Sequence, residues 1–120
     1  MHQIGIDKIK KFMKVEVTGF FNLTEAEKLA SDVEDALKQF KPQEAYIVIT
    51  SKGFKPASQQ VLPLLQKVQA RIAEYGKKVA IVHDNVIAEM QGKRIGEESG
   101  ANNNVNRFRT EEEAVEFLFE

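Results

Sequence analysis

The fold is decided by two stretches, Tyr46-Ile47-Val48-Ile49-Thr50 and Val79-Ala80-Ile81-Val82. Both are short apolar runs rich in β-branched residues, which is typical of strands that are buried on both faces. Between them, apolar residues recur every three or four positions from Val61 to Tyr75, and this spacing predicts a helix that ends at Gly76. A strand, a helix and a second buried strand in this order predict a parallel pair joined by a right-handed crossover.

The N-terminal third of the chain predicts a hairpin of two strands followed by a helix. Apolar and polar residues alternate over residues 4–9 and 12–20, which favours two short neighbouring strands. Thr24 and Glu27 match the capping box, in which a hydroxyl and a carboxylate each accept a hydrogen bond from a backbone N–H at the start of a helix. Pro42 is expected to end this helix, because the residue before a proline disfavours helical backbone.

The C-terminal third predicts two more helices and one more strand. Asp84 or Asn85 can cap a third, short helix, and Val105–Phe108 is typical of a short edge strand. Thr110 and Glu113 repeat the capping box and predict a last helix. The full order is β-β-α-β-α-β-α-β-α, which predicts an α/β fold with a mixed, mostly parallel central sheet of about five strands and about four helices.

Composition agrees with one globular domain and excludes several kinds of site. The chain has 120 residues, 42% hydrophobic and 29% charged, so residues 1–120 suffice for one folded core and are too few for two full-sized domains. The absence of cysteine excludes disulfides, thiolate metal sites and cysteine nucleophiles. His2 and His83 are the only histidines and lack metal-binding spacing, and no glycine-rich phosphate-binding motif occurs. We therefore expect no metal ion and no cofactor.

Charge and hydropathy narrow the choice of partner and location. The formal net charge of −1 and the pI of about 6.2 argue against nucleic acid as a partner, because proteins that grip phosphates are normally basic. The longest apolar runs have only a few residues, far below the ~20 that span a bilayer, and the N-terminal residues lack a signal-peptide pattern. We therefore expect a cytoplasmic protein with no membrane span.

Three segments of the chain resemble the STAS domain, the fold of bacterial anti-sigma factor antagonists. They are Gly19-Phe20-Phe21-Asn22-Leu23-Thr24 before the first helix, the strand Tyr46–Thr50, and the closing segment Phe108–Leu118. The resemblance implies a STAS-like single domain that is regulatory or interacts with other proteins and is not an enzyme. It also implies a bacterial cytoplasm and a protein partner, whose identity the sequence does not specify.

The resemblance further points to Ser58 as a candidate phosphorylation or anion site. In anti-sigma factor antagonists, a kinase phosphorylates a serine in an Asp-Ser-Ser-Gly-like turn at the start of the second helix, and the apolar positions that follow place Ser58 at that serine. Ala57 stands at the acidic position and Gln59-Gln60 at the Ser-Gly positions. A phosphate on Ser58 would meet free N–H groups at the helix start, whereas a plain N-cap serine is the alternative.

A binding edge is predicted where the two buried strands end, because the carboxyl ends of parallel strands meet at one edge of the sheet. The chain leaves the first strand through Ser51–Pro56, which we interpret as a loop, and the second through His83–Asn85. The candidate residues at this edge are Ser51, Lys52, Phe54, Lys55, His83, Asp84 and Asn85. They predict a partner surface or an anion site, whereas a capping role for Asp84 and a structural role for His83 are the simpler alternatives.

Two other functions stay open at this point. A small-ligand or lipid-binding domain, a role attributed to some STAS-like and Sec14-like proteins, would need an apolar pocket of at least roughly 300 Å³ between helices and sheet. A small hydrolase or transferase would use Ser58 or His83, and it would need the two side chains to converge within about 3 Å of a shared ligand position. No nucleophile motif in the sequence supports the second of these.

The aromatic residues raise the question of a second copy. Most of the phenylalanines, Phe20 and Phe21 among them, are expected in the core. Phe54 either covers the sheet edge or anchors a partner, since an apolar ring in a segment of glycine, lysine and proline needs an explanation. Phe119, on the outer side of the last helix, is one candidate for a homodimer contact, and a covered ring is the alternative.

Overall fold

A computed structural model describes residues 1–56, 59–83 and 105–119 of the chain. Its helices and strands are, in chain order, β1 (His2–Asp7), β2 (Phe12–Phe21), α1 (Leu23–Leu37), β3 (Tyr46–Pro56), α2 (Val61–Tyr75), β4 (Lys78–His83), β5 (Val105–Phe108) and α3 (Glu111–Leu118). The third helix predicted at Asp84 or Asn85 lies outside the described residues. The predicted alternation of strands and helices is confirmed over the rest.

The strands form one sheet in the order β1-β2-β3-β4-β5. β1 and β2 make the predicted hairpin, and β2 to β5 run parallel to one another. In the register, Tyr46 lies opposite Lys78 and Ser51 opposite His83, so the two apolar stretches are neighbours in the middle of the sheet. The predicted mixed, mostly parallel α/β sheet is therefore confirmed.

Helices cover both faces of the sheet. Neighbouring residues of a strand point to opposite faces, so Ile47 belongs to a core beneath α1 and α2, and Val48 belongs to a smaller core beneath α3. The smaller core consists of Val48, Ala80, Val82, Ala114 and Leu118. Both central strands are therefore covered on each side, which explains why their sequences are continuous apolar runs.

Of the two predicted capping boxes, the hydroxyl cap of Thr110 is confirmed and that of Thr24 is wrong. The Thr110 hydroxyl oxygen accepts the Glu113 N–H over 3.2 Å at the start of α3. At the start of α1, the Asn22 side-chain oxygen accepts the Glu25 N–H over 2.8 Å, and Thr24 already lies inside the helix. The asparagine takes the role because it stands directly after β2 in extended backbone, where its short side chain reaches that N–H.

Two further boundaries differ from the prediction. The interpretation of Ser51–Pro56 as a loop is wrong, because β3 continues through it and pairs with β2 as far as Phe21. The predicted helix start at Ser58 is also wrong, because α2 begins at Val61. That start places Pro63 in the first turn, where the missing N–H of a proline breaks no helical hydrogen bond.

Candidate functional site

The carboxyl edge of the sheet brings two of the predicted site residues together. Ser51 lies opposite His83 of β4 on one side and opposite Val17 of β2 on the other. Ser51 is buried, with only 7% of its surface exposed, so a large partner cannot reach it without rearrangement. Ser51 and His83 therefore share an edge of the sheet, as expected. The side chains that a partner can reach lie further along β3.

Beyond Ser51, β2 and β3 continue as a two-stranded ribbon. Lys52 lies opposite Thr18 and Lys55 lies opposite Phe20, and both lysines are exposed. Phe20 is 65% exposed, so its expected place in the core is wrong. The ribbon therefore presents an aromatic ring next to two positive charges at the end of the sheet.

A shift of register, of the β-bulge type, interrupts the ribbon just before Phe20. There Gly19 of β2 lies opposite two residues of β3, Gly53 and Phe54. Both glycines adopt left-handed backbone, with φ of 72° and 59°, which costs other residues roughly 1–2 kcal/mol. Because a bulge bends the strand that carries it, the two glycines help to set the direction in which Phe20 and Lys55 face.

Two more apolar side chains are exposed at the same end of the molecule. Met1 is 72% exposed and pairs with Thr18, which donates its N–H to the Met1 carbonyl oxygen over 2.8 Å. Leu23 is 39% exposed and begins α1 directly after β2. We define the carboxyl rim as the surface formed by Met1, Phe20, Leu23, Lys52 and Lys55. It combines three apolar side chains with two positive charges, a composition suited to protein recognition.

The other predicted site residues are described only in part. Phe54 belongs to β3 and not to a loop. Ser58, Asp84 and Asn85 lie outside the described residues, so phosphorylation of Ser58 and the roles of Asp84 and Asn85 stay predictions. The same holds for the convergence of Ser58 and His83 that a hydrolase or transferase would need, because this convergence depends on Ser58. The N-cap alternative for Ser58 is wrong, because Gln60 occupies the cap position of α2.

A hydrogen-bonded pair ties β1 to α1. His2 Nε2 lies 2.7 Å from Asp32 Oδ2, and the His2 side chain is 10% exposed. Within residues 1–56, 59–83 and 105–119, no three histidine, aspartate or glutamate side chains lie close enough together to hold a metal ion. The pair therefore has a structural explanation, as a contact between strand and helix.

None of the described helices combines the length and apolar character needed to cross a bilayer.

An open groove of about 730 Å³ is lined by residues of β1 and α1, the His2–Asp32 pair among them. Ile4 and Ile6 form part of its floor. The polar and charged residues along it include Gln3, Glu25, Lys28, Asp32, Asp35 and Gln39. Three carboxylates in one lining disfavour a lipid or another apolar ligand, because covering charges with hydrocarbon is costly. The groove therefore does not support the ligand-binding alternative, which stays a prediction.

Phe119 lies at the opposite end of the sheet from the carboxyl rim, and its ring is partly covered. It is 45% exposed, and its ring centroid lies 5.1 Å from that of Tyr46 and 5.7 Å from that of Phe12. Such aromatic contacts within one chain account for much of the ring surface. A homodimer through Phe119 stays a prediction.

Comparison with solved structures identifies the fold. The chain is similar to an uncharacterized protein of the DUF3478 family with a SpoIIAA-like fold from Shewanella loihica, at 16% identity and a TM-score of 0.72, over 98% of this chain and 92% of that chain. It is similar to an anti-sigma factor antagonist from Mycobacterium paratuberculosis, at 14% identity and a TM-score of 0.66, over 100% of this chain and 94% of that chain. It is also similar to the phosphorylated form of the Bacillus cell fate determinant SpoIIAA, at 15% identity and a TM-score of 0.57, over 98% of this chain and 99% of that chain.

The comparisons establish the fold of the chain and not its function. No protein-family profile and no curated protein matches the sequence. Identities of 16% and below show a shared fold, and one fold serves many functions. The likeness extends over nearly the whole chain and agrees with the observed five-stranded sheet. The chain therefore has the SpoIIAA-like fold, as its resemblance to STAS domains implied.

Proposed function

We propose that the chain is a regulatory protein-recognition domain, not an enzyme, and that the carboxyl rim contacts its partner. The observation that carries this proposal is Phe20, an aromatic residue that is 65% exposed and lies opposite Lys55 in the ribbon. Covering apolar surface is favourable by about 25 cal/mol per Å², and aromatic anchors surrounded by polar residues are typical of interface hot spots. A folded domain that leaves such a ring in water has a surface suited to a partner.

The charges on the rim indicate what the partner surface is like. Lys52 and Lys55 flank Phe20, so a complementary surface has an apolar centre and acidic residues beside it. The nearby Glu25 carboxylate lies 2.6 Å from the Met1 amino nitrogen, which compensates its charge. Exposed charge pairs at the border of an interface mainly accelerate association. The lysines therefore favour fast capture of an acidic partner, and Phe20 favours its retention.

The partner that best fits the fold comparison is an anti-sigma factor. One similar structure is that of an anti-sigma factor antagonist, and another is of a phosphorylated protein. We therefore propose that the partner of this chain is an anti-sigma factor. We also propose that a phosphate on Ser58 regulates the binding of that partner. Lys55 precedes Ser58 by only three residues, so a phosphate there would offset the positive charge of the rim.

The proposal is tested by titrating this chain with purified anti-sigma factors encoded in the same genome, using calorimetry and stopped-flow fluorescence. Phe20→Ser should weaken binding roughly 30-fold or more, which corresponds to the ~2 kcal/mol that a hot-spot residue contributes. Combining Lys52→Glu with Lys55→Glu should slow association about tenfold at low salt, and the effect should shrink as salt screens the charges.

Ile9→Ser is the matched control for Phe20→Ser. Ile9 is 94% exposed and lies in the turn between β1 and β2, at the other end of the sheet. Its removal should leave binding unchanged. Equal binding by the two variants would show that the carboxyl rim does not contact the partner. Failure of every anti-sigma factor to bind wild type would exclude this class of partner.

Ser58→Glu should bind more weakly than Ser58→Ala, and equal binding would remove Ser58 from the mechanism.

A further inference from the structure

Lysines from three segments gather at the end of the sheet opposite the carboxyl rim, where β2, β3 and β4 begin side by side. The Tyr46 N–H donates to the Lys11 carbonyl oxygen over 2.7 Å, and the Lys77 N–H donates to the Ala45 carbonyl oxygen over 2.7 Å. We define the basic pole as the surface formed by residues 7–12, 38–46 and 76–78. It carries two carboxylates, no arginine and seven lysines, which are Lys8, Lys10, Lys11, Lys38, Lys41, Lys77 and Lys78.

Three of these lysines have contacts within the protein, and four do not. Lys11 Nζ lies 3.1 Å from Glu44 Oε1, Lys78 Nζ donates to the Phe117 carbonyl oxygen over 3.3 Å, and Lys77 lies over an aromatic ring. The four exposed lysines whose side chains form no ion pair with any described residue are Lys8, Lys10, Lys38 and Lys41. The pole therefore has a local excess of positive charge, although the formal net charge of the chain is −1.

An exposed isoleucine stands among these charges, in the turn between β1 and β2. Ile9 lies between Lys8 and Lys10, and 94% of its surface is exposed. The Asp7 side chain holds the turn, because its Oδ1 accepts the Ile9 N–H over 3.0 Å and the Lys10 N–H over 3.1 Å. The turn is thus already ordered, so presenting Ile9 to a ligand costs little conformational entropy.

We propose that the basic pole docks on the surface of an anionic lipid bilayer, with Ile9 entering the headgroup region and the free lysines facing the lipid phosphates. Anionic bilayers attract clustered lysines, and an apolar side chain adds to the binding when it leaves water. Phe119, 45% exposed and packed on Tyr46, adds an aromatic ring that suits the same boundary. The carboxyl rim lies at the other end of the sheet, so the docked domain still presents it to a protein partner.

The composition of the pole favours a bilayer over a protein or a nucleic acid as the occupant. Protein interfaces are enriched in arginine and depleted in lysine, and arginine also suits the fixed phosphates of nucleic acids, whereas this pole has lysine alone. Lysine is a point charge on a flexible stem, which suits mobile lipid headgroups. A projecting isoleucine needs a matching pocket on a protein, whereas a fluid bilayer admits it anywhere on its surface.

Co-sedimentation with vesicles at low salt tests the need for charge. Wild type should bind phosphatidylcholine vesicles that contain about 30% phosphatidylglycerol, and should bind vesicles of phosphatidylcholine alone about tenfold more weakly or less. Combining Lys8→Glu with Lys10→Glu should weaken binding to the anionic vesicles about 20-fold or more, because each lysine contributes roughly fivefold. Lys52→Glu with Lys55→Glu is the matched control. It makes the same change of charge at the carboxyl rim and should weaken binding less than about threefold.

Tryptophan fluorescence tests which end of the molecule meets the bilayer. The chain has no tryptophan, so a single one reports its own surroundings. The emission of Ile9→Trp should shift to shorter wavelength on the anionic vesicles, because the indole ring leaves water. Phe20→Trp places the same ring at an exposed position of the carboxyl rim, and its emission should stay unchanged.

The proposal is overturned if wild type binds neither kind of vesicle or binds both equally, or if the variant with Lys8→Glu and Lys10→Glu binds as tightly as the control. It is also overturned if the emission of Phe20→Trp shifts and that of Ile9→Trp does not. Weaker capture of an anti-sigma factor by the variant with Lys8→Glu and Lys10→Glu, with no vesicle binding by wild type, would make the pole a protein surface and overturn the proposal. The binding tests of the carboxyl rim use no lipid, so failure here is distinguishable from failure there.

Discussion

Gly76 shows how one residue lets a helix and the sheet approach closely. Its N–H donates to the Ile72 carbonyl oxygen over 2.7 Å where α2 ends. A Cβ at this position would lie 2.9 Å from Ile47 Cδ1 and 3.1 Å from Val79 Cγ2. The backbone is ordinary, with φ of −80°, so the glycine is needed for room and not for conformational freedom. The predicted end of α2 at Gly76 is confirmed. Close packing explains why a glycine stands at this position.

Gly76→Ala should therefore destabilise the protein. The added methyl group must displace side chains of both central strands, and overpacking of this kind costs about 1–3 kcal/mol. Urea unfolding followed by circular dichroism measures the change. Gly5→Ala is the control, because the space around Gly5 is open, and it should leave stability unchanged or raise it by up to about 1 kcal/mol. Equal stability of the two variants would contradict the packing argument.

Phe20 and Phe21 mark the limit of prediction at the scale of residues. Hydrophobicity alone assigns both rings to the core. The alternation that buries Met13, Val15 and Val17 continues to Phe21, which is fully buried, and leaves Phe20 on the opposite face. The signal for an exposed ring was thus present in the spacing. The choice between Asn22 and Thr24 as a cap carried no such signal, because both residue types cap helices well.

At the scale of elements, the second half of β3 shows why Ser51–Pro56 has the composition of a loop and yet forms a strand. Gly53 and Pro56 both disfavour regular strands, and Lys52 and Lys55 are polar. The strand persists because β2, more than thirty residues earlier, supplies a partner across the bulge at Gly19. Pairing between segments so far apart in sequence leaves no mark in local composition, so local patterns could not predict it.

The bulge should depend on the left-handed backbone of its glycines. Gly53→Ala should lower the free energy of unfolding by roughly 1–2 kcal/mol, because φ is 59° there and a Cβ disfavours that region. Gly53→Asn should cost less, since asparagine tolerates left-handed backbone better than alanine. Space is not the cause, because a Cβ at Gly53 would meet nothing within 4 Å. An equal loss in both variants, measured by urea unfolding, would contradict this assignment.

Glu44 connects the segment between α1 and β3 to the turn of the first hairpin. Its Oε2 accepts the Lys41 N–H over 2.8 Å, and its Oε1 lies 3.1 Å from Lys11 Nζ. The hydrogen bond from the Lys41 backbone, followed by the contact with Lys11, lowers the pKa of Glu44 below its ordinary value of 4.5. The ionised carboxylate is therefore favoured in the folded state.

The lowered pKa of Glu44 predicts a defined pH dependence. Ionised Glu44 stabilises the fold at pH values above its ordinary pKa, and this contribution is lost as the pH falls through the lowered pKa. Glu44→Gln should therefore reduce the free energy of unfolding at about pH 7 and make little difference at about pH 2. Glu27→Gln, on the exposed face of α1, serves as the control. A deficit of Glu44→Gln that is equally large at both pH values would contradict the assignment.

At the scale of the whole molecule, topology was predictable because it rests on features spread along the chain. Two apolar runs joined by an amphipathic helix favour adjacent parallel strands, and the register of Ser51 with His83 confirms that arrangement. The carboxyl rim was predictable only in part. Lys52 and Lys55 follow directly from the end of a central strand, whereas Met1, Phe20 and Leu23 come from segments that only the hairpin and α1 bring to this edge.

The most direct test of the central claim, that the carboxyl rim is the binding surface, is hydrogen–deuterium exchange of the chain alone and bound to an anti-sigma factor. Binding should slow exchange over residues 18–23 and 52–55, which form the rim and its ribbon. Residues 8–11, in the turn at the far end of the hairpin, should exchange equally in both states. Slower exchange at 8–11 with none at 18–23 and 52–55 would contradict the account.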